Sequence, residues 1–386
     1  MNIICSSFGD MAERIRAKRS EIVLFGAGVL GRITAPQILE RLHLLPLVRC
    51  CLDNDCSKWG EKVDVCGTGL AVRAPAELAK CGSRTALVVC VSRFFDVVRQ
   101  LEAMECTRNM DCYILAMLCV HNFCSQPSAG VPIYTKEALI PKKLHYMWFG
   151  GNPIPEMLKT CMESWKRYCP DYEIIRWDES NYDVEKHPYM KEAYAAGAYG
   201  FVPDYARLDI LYAHGGIYLD TDVELLRNLD TLLHQEAFCG VEKWQTLNFG
   251  GCSGAAKGSP AIKTFLEARK DIRFFHRDGR ENRNTCGFYD TRTALAQGYK
   301  INGRTQTVGN MNVYAYDYFH PYDYMSERLD CTEHTYSVHW FNGGWLTGDE
   351  RKGNACTFRM YDSLYQGALR LAQDEEAGRK AGSHVF

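Results

Sequence analysis

With 386 residues, 46% of them apolar and 24% charged, the chain has the length for two cored domains and the balance of an ordinary globular protein. Its net charge of −2 excludes a strongly basic nucleic-acid surface and gives no long-range attraction to anionic membranes. No run approaches the roughly 20 apolar residues that span a bilayer, the first ten residues lack the pattern of a secretory signal, and 18 Cys in scattered apolar settings read as reduced thiols of a cytoplasmic protein rather than a disulfide framework.

The pattern predicts a first domain over 1–125. A buried-type strand, Glu21–Phe25, runs into Gly26-Ala-Gly28-Val-Leu-Gly31 and a helix over 32–42. Strands follow at 47–52, ending at Asp53, then at 86–91 and 112–117, with helical runs at 74–80 and 94–104. Alternating strands and helices argue for a parallel, Rossmann-like sheet holding little more than one βαβαβ half. The Gly-x-Gly-x-x-Gly element has a strand before it, a helix after it and Asp53 about twenty positions on. Two readings stand: Gly26, Gly28, Gly31 and Asp53 form a second nucleotide or sugar-nucleotide site, or the glycines only make the turn of a sheet kept for packing. The segment is similar to small Rossmann-like modules attached to some bacterial polysaccharide enzymes. Cys50, Cys51, Cys56 and Cys66 match no standard zinc-finger spacing.

Residues 126–137 read as a linker, and a strand over 143–149 opens a second domain over 138–348. A helix over 203–214 starts at Pro203 and stops at Gly215-Gly216. Asp204 and Arg207, three apart, share one face of it. They are either a surface ion pair or side chains brought beside a site. The run Ile217-Tyr218-Leu219 then leads into Asp220-Thr221-Asp222. If strand geometry continues, both carboxylates project to one side, where they repel unless a cation lies between them. A hard divalent cation takes such oxygens and keeps positions for a substrate phosphate. Residues 349–386 read as a C-terminal helix, patterned over 360–372, and a polar tail.

These residues resemble the core of the metal-dependent, retaining glycosyltransferases of the GT-A type, in particular the DXD-containing family 32. The glucosyltransferase domains of large clostridial toxins share the same helix, Gly-Gly, strand and Asp-x-Asp. The resemblance takes in Ile140-Pro-Lys-Lys-Leu-His-Tyr-Met-Trp-Phe-Gly-Gly151, Ser164-Trp165, Tyr172-Glu-Ile-Ile-Arg-Trp-Asp178 and the closing Ser337-Val-His-Trp-Phe-Asn-Gly-Gly-Trp345. It implies an α/β fold, a GT-A-type nucleotide-sugar domain preceded by the small Rossmann-like domain. It also implies transfer from a nucleotide sugar, UDP-linked in preference to GDP-linked, to a glycan or lipid-linked glycan. Capsular or cell-surface polysaccharide synthesis is the expected setting, with peripheral contact at the inner face of the membrane.

By the same resemblance, Asp220, Asp222 and His339 bind the metal, and the imidazole favours Mn²⁺ over Mg²⁺. Trp148 stacks on the base, and Asp204, Arg207, Asp220, Asn248 and Trp345 contact the donor. Asp204, Arg207 and Asp222 carry the catalysis. With no nucleophile marked, attack by the acceptor hydroxyl on the leaving-group face is expected. Two departures stand out: Gly344 where many relatives have Ser, and Val338 where many have a second His. The alternatives are an NAD(P)-dependent nucleotide-sugar oxidoreductase built on the glycine motif, and a non-catalytic glycan-binding scaffold. Against the first, Tyr194 and Tyr212 are followed four positions on by Ala198 and Gly216 rather than by Lys. Against the second stand the intact Asp204, Arg207, Asp220 and Asp222.

Overall fold

The computed structural model describes residues 1–65, 67–124, 130, 132–324, 327–343 and 352–364. It separates into two units. The first holds 1–125 with 324–327 and 347–386, and the second holds 126–323 with 328–346. No helix among the described residues is long and apolar enough to cross a membrane.

In chain order the first unit contains β1 (Asn2–Ile3), α1 (Phe8–Lys18), β2 (Glu21–Phe25), α2 (Ala35–Arg41), β3 (Val48–Leu52), β4 (Lys62–Val65), β5 (Thr68–Arg73), β6 (Thr85–Val89), α3 (Phe95–Ala103), β7 (Asp111–Ile114) and α4 (Leu115–Phe123). A further helix spans 352–364. The strands form one sheet in the order β1-β7-β6-β2-β3-β5-β4, parallel except for the β4–β5 hairpin. The α/β class and the largely parallel sheet are as expected, but the sheet is larger than the sequence suggested. The hairpin and β1 are short, and their polar or two-residue patterns give almost no periodicity. The strand expected over 112–117 stops at Ile114, where α4 begins. A continuous apolar run buried on all sides cannot be divided between strand and helix by periodicity. The run over 74–80 is 3-10 rather than α-helical, at Pro75–Lys80.

The second unit contains β8 (Lys143–Met147), α5 (Glu156–Tyr168), β9 (Glu173–Trp177), α6 (Pro188–Ala195), α7 (Pro203–His214), β10 (Gly216–Tyr218), β11 (Val223–Leu225), β12 (Ala237–Val241), β13 (Leu247–Asn248), β14 (Ser253–Ala255), α8 (Pro260–Arg269), α9 (Cys286–Ala296), β15 (Gln306–Val308), β16 (Met311–Tyr314), α10 (Tyr316–Phe319), β17 (Tyr322–Asp323), β18 (Arg328–Leu329) and β19 (Ser337–His339). Its main sheet runs β15-β16-β12-β14-β10-β8-β9. Strand β10 lies parallel to β8 on one side and antiparallel to β14 on the other. In open α/β sheets, ligands gather outside the carboxyl ends of such parallel strands. Trp148 and Asp220 leave β8 and β10 at that end. The core beneath is apolar, with Leu144, Trp165, Ile217, Leu219, Val223 and Phe238 among its buried members.

Part of the expected C-terminal helix and all of the tail beyond 364 lie outside the described residues, as do most of 126–131. Trp345 and Gly344 also lie outside them.

Candidate active site

Helix α7 has the bounds read from the sequence, Pro203–His214, and packs against β10 and β14. The expectation that strand geometry carries on through the Asp-x-Asp is corrected. Strand β10 ends at Tyr218, and the two carboxylates sit in a turn before β11. They still converge, because the chain is pinned on both sides of the turn. Asp220 N–H donates to Gly250 O at 2.8 Å. Beyond it, β11 pairs antiparallel with β19, setting Val223 opposite His339.

Strand β11 is held from below by α5. The buried Trp165 Nε1–H donates to Val223 O at 2.7 Å, and Ser164 Oγ accepts from Leu225 N–H at 2.8 Å. The Ser164-Trp165 pair therefore places the backbone that carries Asp222. At the other end of α7, buried His145 donates from Nε2 to Gly215 O at 2.8 Å, while its Nδ1 accepts from Trp177 at 3.1 Å. Those two bonds fix the neutral tautomer, and burial pushes its pKa down to about 4.

Asp220, Asp222 and His339 each offer a ligand atom, all within 4.8 Å of one another. His339 Nε2 lies 3.3 Å from Asp222 Oδ1. The other Asp222 oxygen accepts from the Asn342 N–H at 2.8 Å. Burial opposes charge on both partners, but the pairing outweighs it. Asp222 is held below the ordinary carboxylate range by His339 and the Asn342 N–H, and His339 above the ordinary imidazole range by Asp222. Among the described residues, His339 Nδ1 is buried without a hydrogen-bond partner. Two carboxylates and one imidazole that converge suit a divalent cation.

Arg207 lies beneath this group, its side chain only 5% exposed. Its guanidinium reaches Asp204 Oδ1 at 3.2 Å and Asp220 Oδ1 at 3.6 Å, and lies over the Tyr218 ring. Tyr218 donates its hydroxyl to Asp220 Oδ1 at 2.9 Å. The Asp204–Arg207 pair is thus buried, which removes the surface ion-pair alternative. Burial raises Asp204 to about 6 against the opposing pull of Arg207 and Arg269. Arg269 itself binds Asp290 at 2.7 Å, a buried pair that ties α8 to α9. Tyr205, next to Asp204, stacks on His187.

Asn248 is engaged with the protein. Its Oδ1 accepts from the N–H groups of Gly250 and Gly251 at 2.7 and 3.1 Å, and its amide donates to Glu242 at 2.8 Å. It shapes the turn on which Asp220 rests. At Gly250 a Cβ would stand 2.0 Å from Asp220 Oδ2 and 2.9 Å from Arg207, so only glycine fits against the charged group. Sequence reasoning passed over Gly250, Glu242 and the Asn342 N–H. Glu242 is a shielded carboxylate, raised by burial and lowered in part by its bonds from Asn248 and Trp244 and by His339. Gly250 and Glu242 belong to no spaced motif, and Asn342, although inside the closing motif, acts through its backbone N–H, which a side-chain pattern does not announce.

Trp148 lies at the end of β8, half-buried, with its Nε1–H on Asn152 O at 2.6 Å. In the first unit, Gly26 leaves β2 and Gly28 has no atoms near its missing Cβ, while at Gly31 a Cβ would lie 1.9 Å from Gly26 O. Asp53 turns inward. Its Oδ2 accepts from Ala27 N–H at 2.7 Å and lies 3.2 Å from Lys58 Nζ, and its Oδ1 accepts from Asp55 N–H at 2.8 Å.

Residues 155–239 match the family model described as the glycosyltransferase sugar-binding region containing the DXD motif. Among curated proteins, the chain is similar to inositol phosphoceramide mannosyltransferase 3 of Schizosaccharomyces pombe, 37% identical over 135 residues, 34% of this chain and 37% of that protein. Another relative is the uncharacterized glycosyltransferase L373 of Acanthamoeba polyphaga mimivirus, 24% identical over 219 residues, 54% of this chain and 84% of that protein. Among solved structures, the PaToxG glycosyltransferase overlays with a TM-score of 0.32 at 16% identity, covering 48% of this chain and 80% of that one. The chain spans little more than a third of the first relative's length.

Proposed function

We propose, for a chain that carries the sugar-binding region of the DXD glycosyltransferases, that its second unit moves a sugar from a nucleoside-diphosphate donor to a hydroxyl of a glycan or glycolipid. The observation that supports this most is the convergence of Asp220, Asp222 and His339 within 4.8 Å, with Arg207 held 3.6 Å from Asp220. Asp220, Asp222 and His339 would hold a divalent cation, which when bound neutralises diphosphate charge.

Arg207 is fixed by Asp204, Asp220 and Tyr218, so it meets a developing charge without reorganising. Asp204 accepts a hydroxyl of the donor sugar, and Trp148 offers a flat face to the base. The anomeric C–O bond breaks as the acceptor oxygen bonds to the same carbon. The electron pair leaves with the nucleoside diphosphate, whose phosphate oxygen takes the acceptor proton. Attack on the leaving-group face retains configuration.

Some curated relatives are named mannosyltransferases, which makes a mannosyl donor the first to test. Synthesis of a cell-surface glycan is the setting that suits such a reaction. The test is a donor-hydrolysis screen of GDP-mannose and UDP-hexoses with Mn²⁺, with Mg²⁺ and with chelator. Metal-dependent release of one nucleoside diphosphate is expected. Turnover that is indifferent to chelator removes the metal, and no release from any donor removes the transferase.

A further inference from the structure

The amino ends of three parallel strands of the first unit meet at a cavity of about 450 Å³. Ser20 precedes β2, Thr85 opens β6 and Asp111 opens β7, and the ladder sets Glu21 opposite Thr85 and Ala86 opposite Asp111. The glycine turn lies at the other, carboxyl end of β2, so the cavity is no part of that motif. The one carboxylate among the described residues of its lining, Asp111, is buried and engaged, by Lys18 Nζ at 2.6 Å and by Asn2 Nδ2 at 3.5 Å. Thr85 Oγ1 donates to Gly82 O at 2.8 Å. The rest of the polar lining is unsatisfied. Among the described residues, the side chains of Arg19, Ser20, Ser83, Arg84 and Asn109 have no partner. A cation just past the last turn of α1 complements the helix dipole, but Arg16 and Lys18 already do so. The dipole does not account for Arg84, which comes from the loop before β6, nor for Ser20. Ser20 is only 4% exposed, and its hydroxyl faces the cavity without a bond. So enclosed a hydroxyl is destabilising when unpaired, and a ligand oxygen in the cavity would satisfy it.

We propose that this cavity binds a small phosphorylated ligand, with Arg19 and Arg84 against the phosphate oxygens and Ser20, Ser83 and Asn109 donating to the oxygens that remain. Every unpartnered side chain of the lining is a donor, and two of them carry positive charge, so the cavity complements an anion rich in acceptors. A guanidinium meets phosphate with paired N–H donors in charge-assisted bonds. The volume is that of a small-molecule site and exceeds what inorganic phosphate fills, which leaves room for a sugar-sized remainder. The site is separate from the transferase site of the second unit and does not rest on it.

The test is calorimetric titration of the full chain with ribose 5-phosphate and with ribose, under chelator so that no cation in the second unit recruits phosphate. Ribose 5-phosphate is expected to bind and ribose is not. Arg19→Gln and Arg84→Gln should each weaken the phosphate ester at least about tenfold, and the wild-type affinity should fall with added salt. Both arginines are exposed and unpaired, so the melting temperature holds in these variants. Ser20→Ala should weaken binding several-fold while the melting temperature stays or rises, because the hydroxyl it removes has no partner in the free protein. No binding of ribose 5-phosphate at millimolar concentration overturns the proposal, and so does ribose binding as tightly as its phosphate. Full affinity in the Arg19→Gln/Arg84→Gln double variant overturns it too, since the phosphate then sits elsewhere on the molecule.

Discussion

The two units each present a carboxylate beside a glycine turn at the carboxyl end of a parallel strand, and they use it in opposite ways. In the first unit Asp53 satisfies Ala27 N–H and Asp55 N–H and lies near Lys58, so its oxygens close a loop. In the second, Asp222 faces a buried imidazole with a nitrogen left unsatisfied among the described residues, and Asp220 shares a nearly solvent-free guanidinium with Asp204. A carboxylate that completes its own turn stabilises the fold. Carboxylates forced together with charges left over are poised for something else. The glycine pattern alone does not separate the two cases; the partners of the carboxylate do.

The largest expected effect breaks this symmetry directly. Asp222→Asn removes a charge from the proposed cation site, and metal-dependent donor hydrolysis should fall more than about a hundredfold while circular dichroism stays native. Asp53→Asn should leave hydrolysis at wild-type level and lower unfolding free energy by about 1–2 kcal/mol, read by urea denaturation. Full turnover in the Asp222 variant would return the Asp-x-Asp to an ordinary turn. The glycines give the next contrast. Gly250→Ala drives a methyl into Asp220 and Arg207, so hydrolysis should drop at least about tenfold through displacement of both charges. Gly28→Ala meets open space and should change neither hydrolysis nor melting temperature by a measurable amount.

A titration sharpens the same contrast. Buried Asp204 has its pKa raised from 3.8 to about 6. Below about pH 4, folded and unfolded chains both carry the proton, and its stabilising effect is complete. Between there and about pH 6 the unfolded chain releases the proton while the folded chain keeps it, so stability falls as pH rises and then levels off. The span amounts to at most about 3 kcal/mol. Urea denaturation with chelator from pH 4 to 7 should show this slope in wild type and not in Asp204→Asn. Parallel slopes would mean that Asp204 is already ionised below pH 4.

Much of this contrast was legible beforehand, and for physical reasons. Helix α7 announced itself by Pro203 at its start and Gly215-Gly216 at its end, local signals that tertiary packing had no cause to override. The Asp220-Asp222 spacing was visible, but the reason given for their convergence was not the operative one. Pairing of β11 with β19, some 115 residues away in sequence, does the work that continued strand geometry was expected to do. Sequence periodicity holds no information on such pairings. In the first unit the strand count fell short for a related reason. Strands of two to six residues at a sheet edge carry too few alternations to register. The inward turn of Asp53 is also silent in sequence, since a motif fixes where a carboxylate sits along the chain and not what it bonds.

The smallest expected effect compares two tryptophan N–H bonds of nearly equal length. Trp165 Nε1–H meets Val223 O at 2.7 Å in the core, and Trp59 Nε1–H meets Asp53 O at 2.8 Å on a ring that is 45% exposed. Replacing either by Phe removes the donor. At position 165 the Val223 carbonyl is then left buried without a partner, at a cost of about 1–3 kcal/mol. At position 59 water can take over, and the loss should stay below about 1 kcal/mol. Because Val223 follows Asp222 directly, Trp165→Phe should also weaken Mn²⁺ binding several-fold by calorimetry, through a strand that no longer holds Asp222 in place. Trp59→Phe should leave that affinity alone. If both variants lose equal stability and neither changes the metal affinity, α5 does not position the Asp-x-Asp turn, and the pinning of that turn rests on β19 and Gly250 alone.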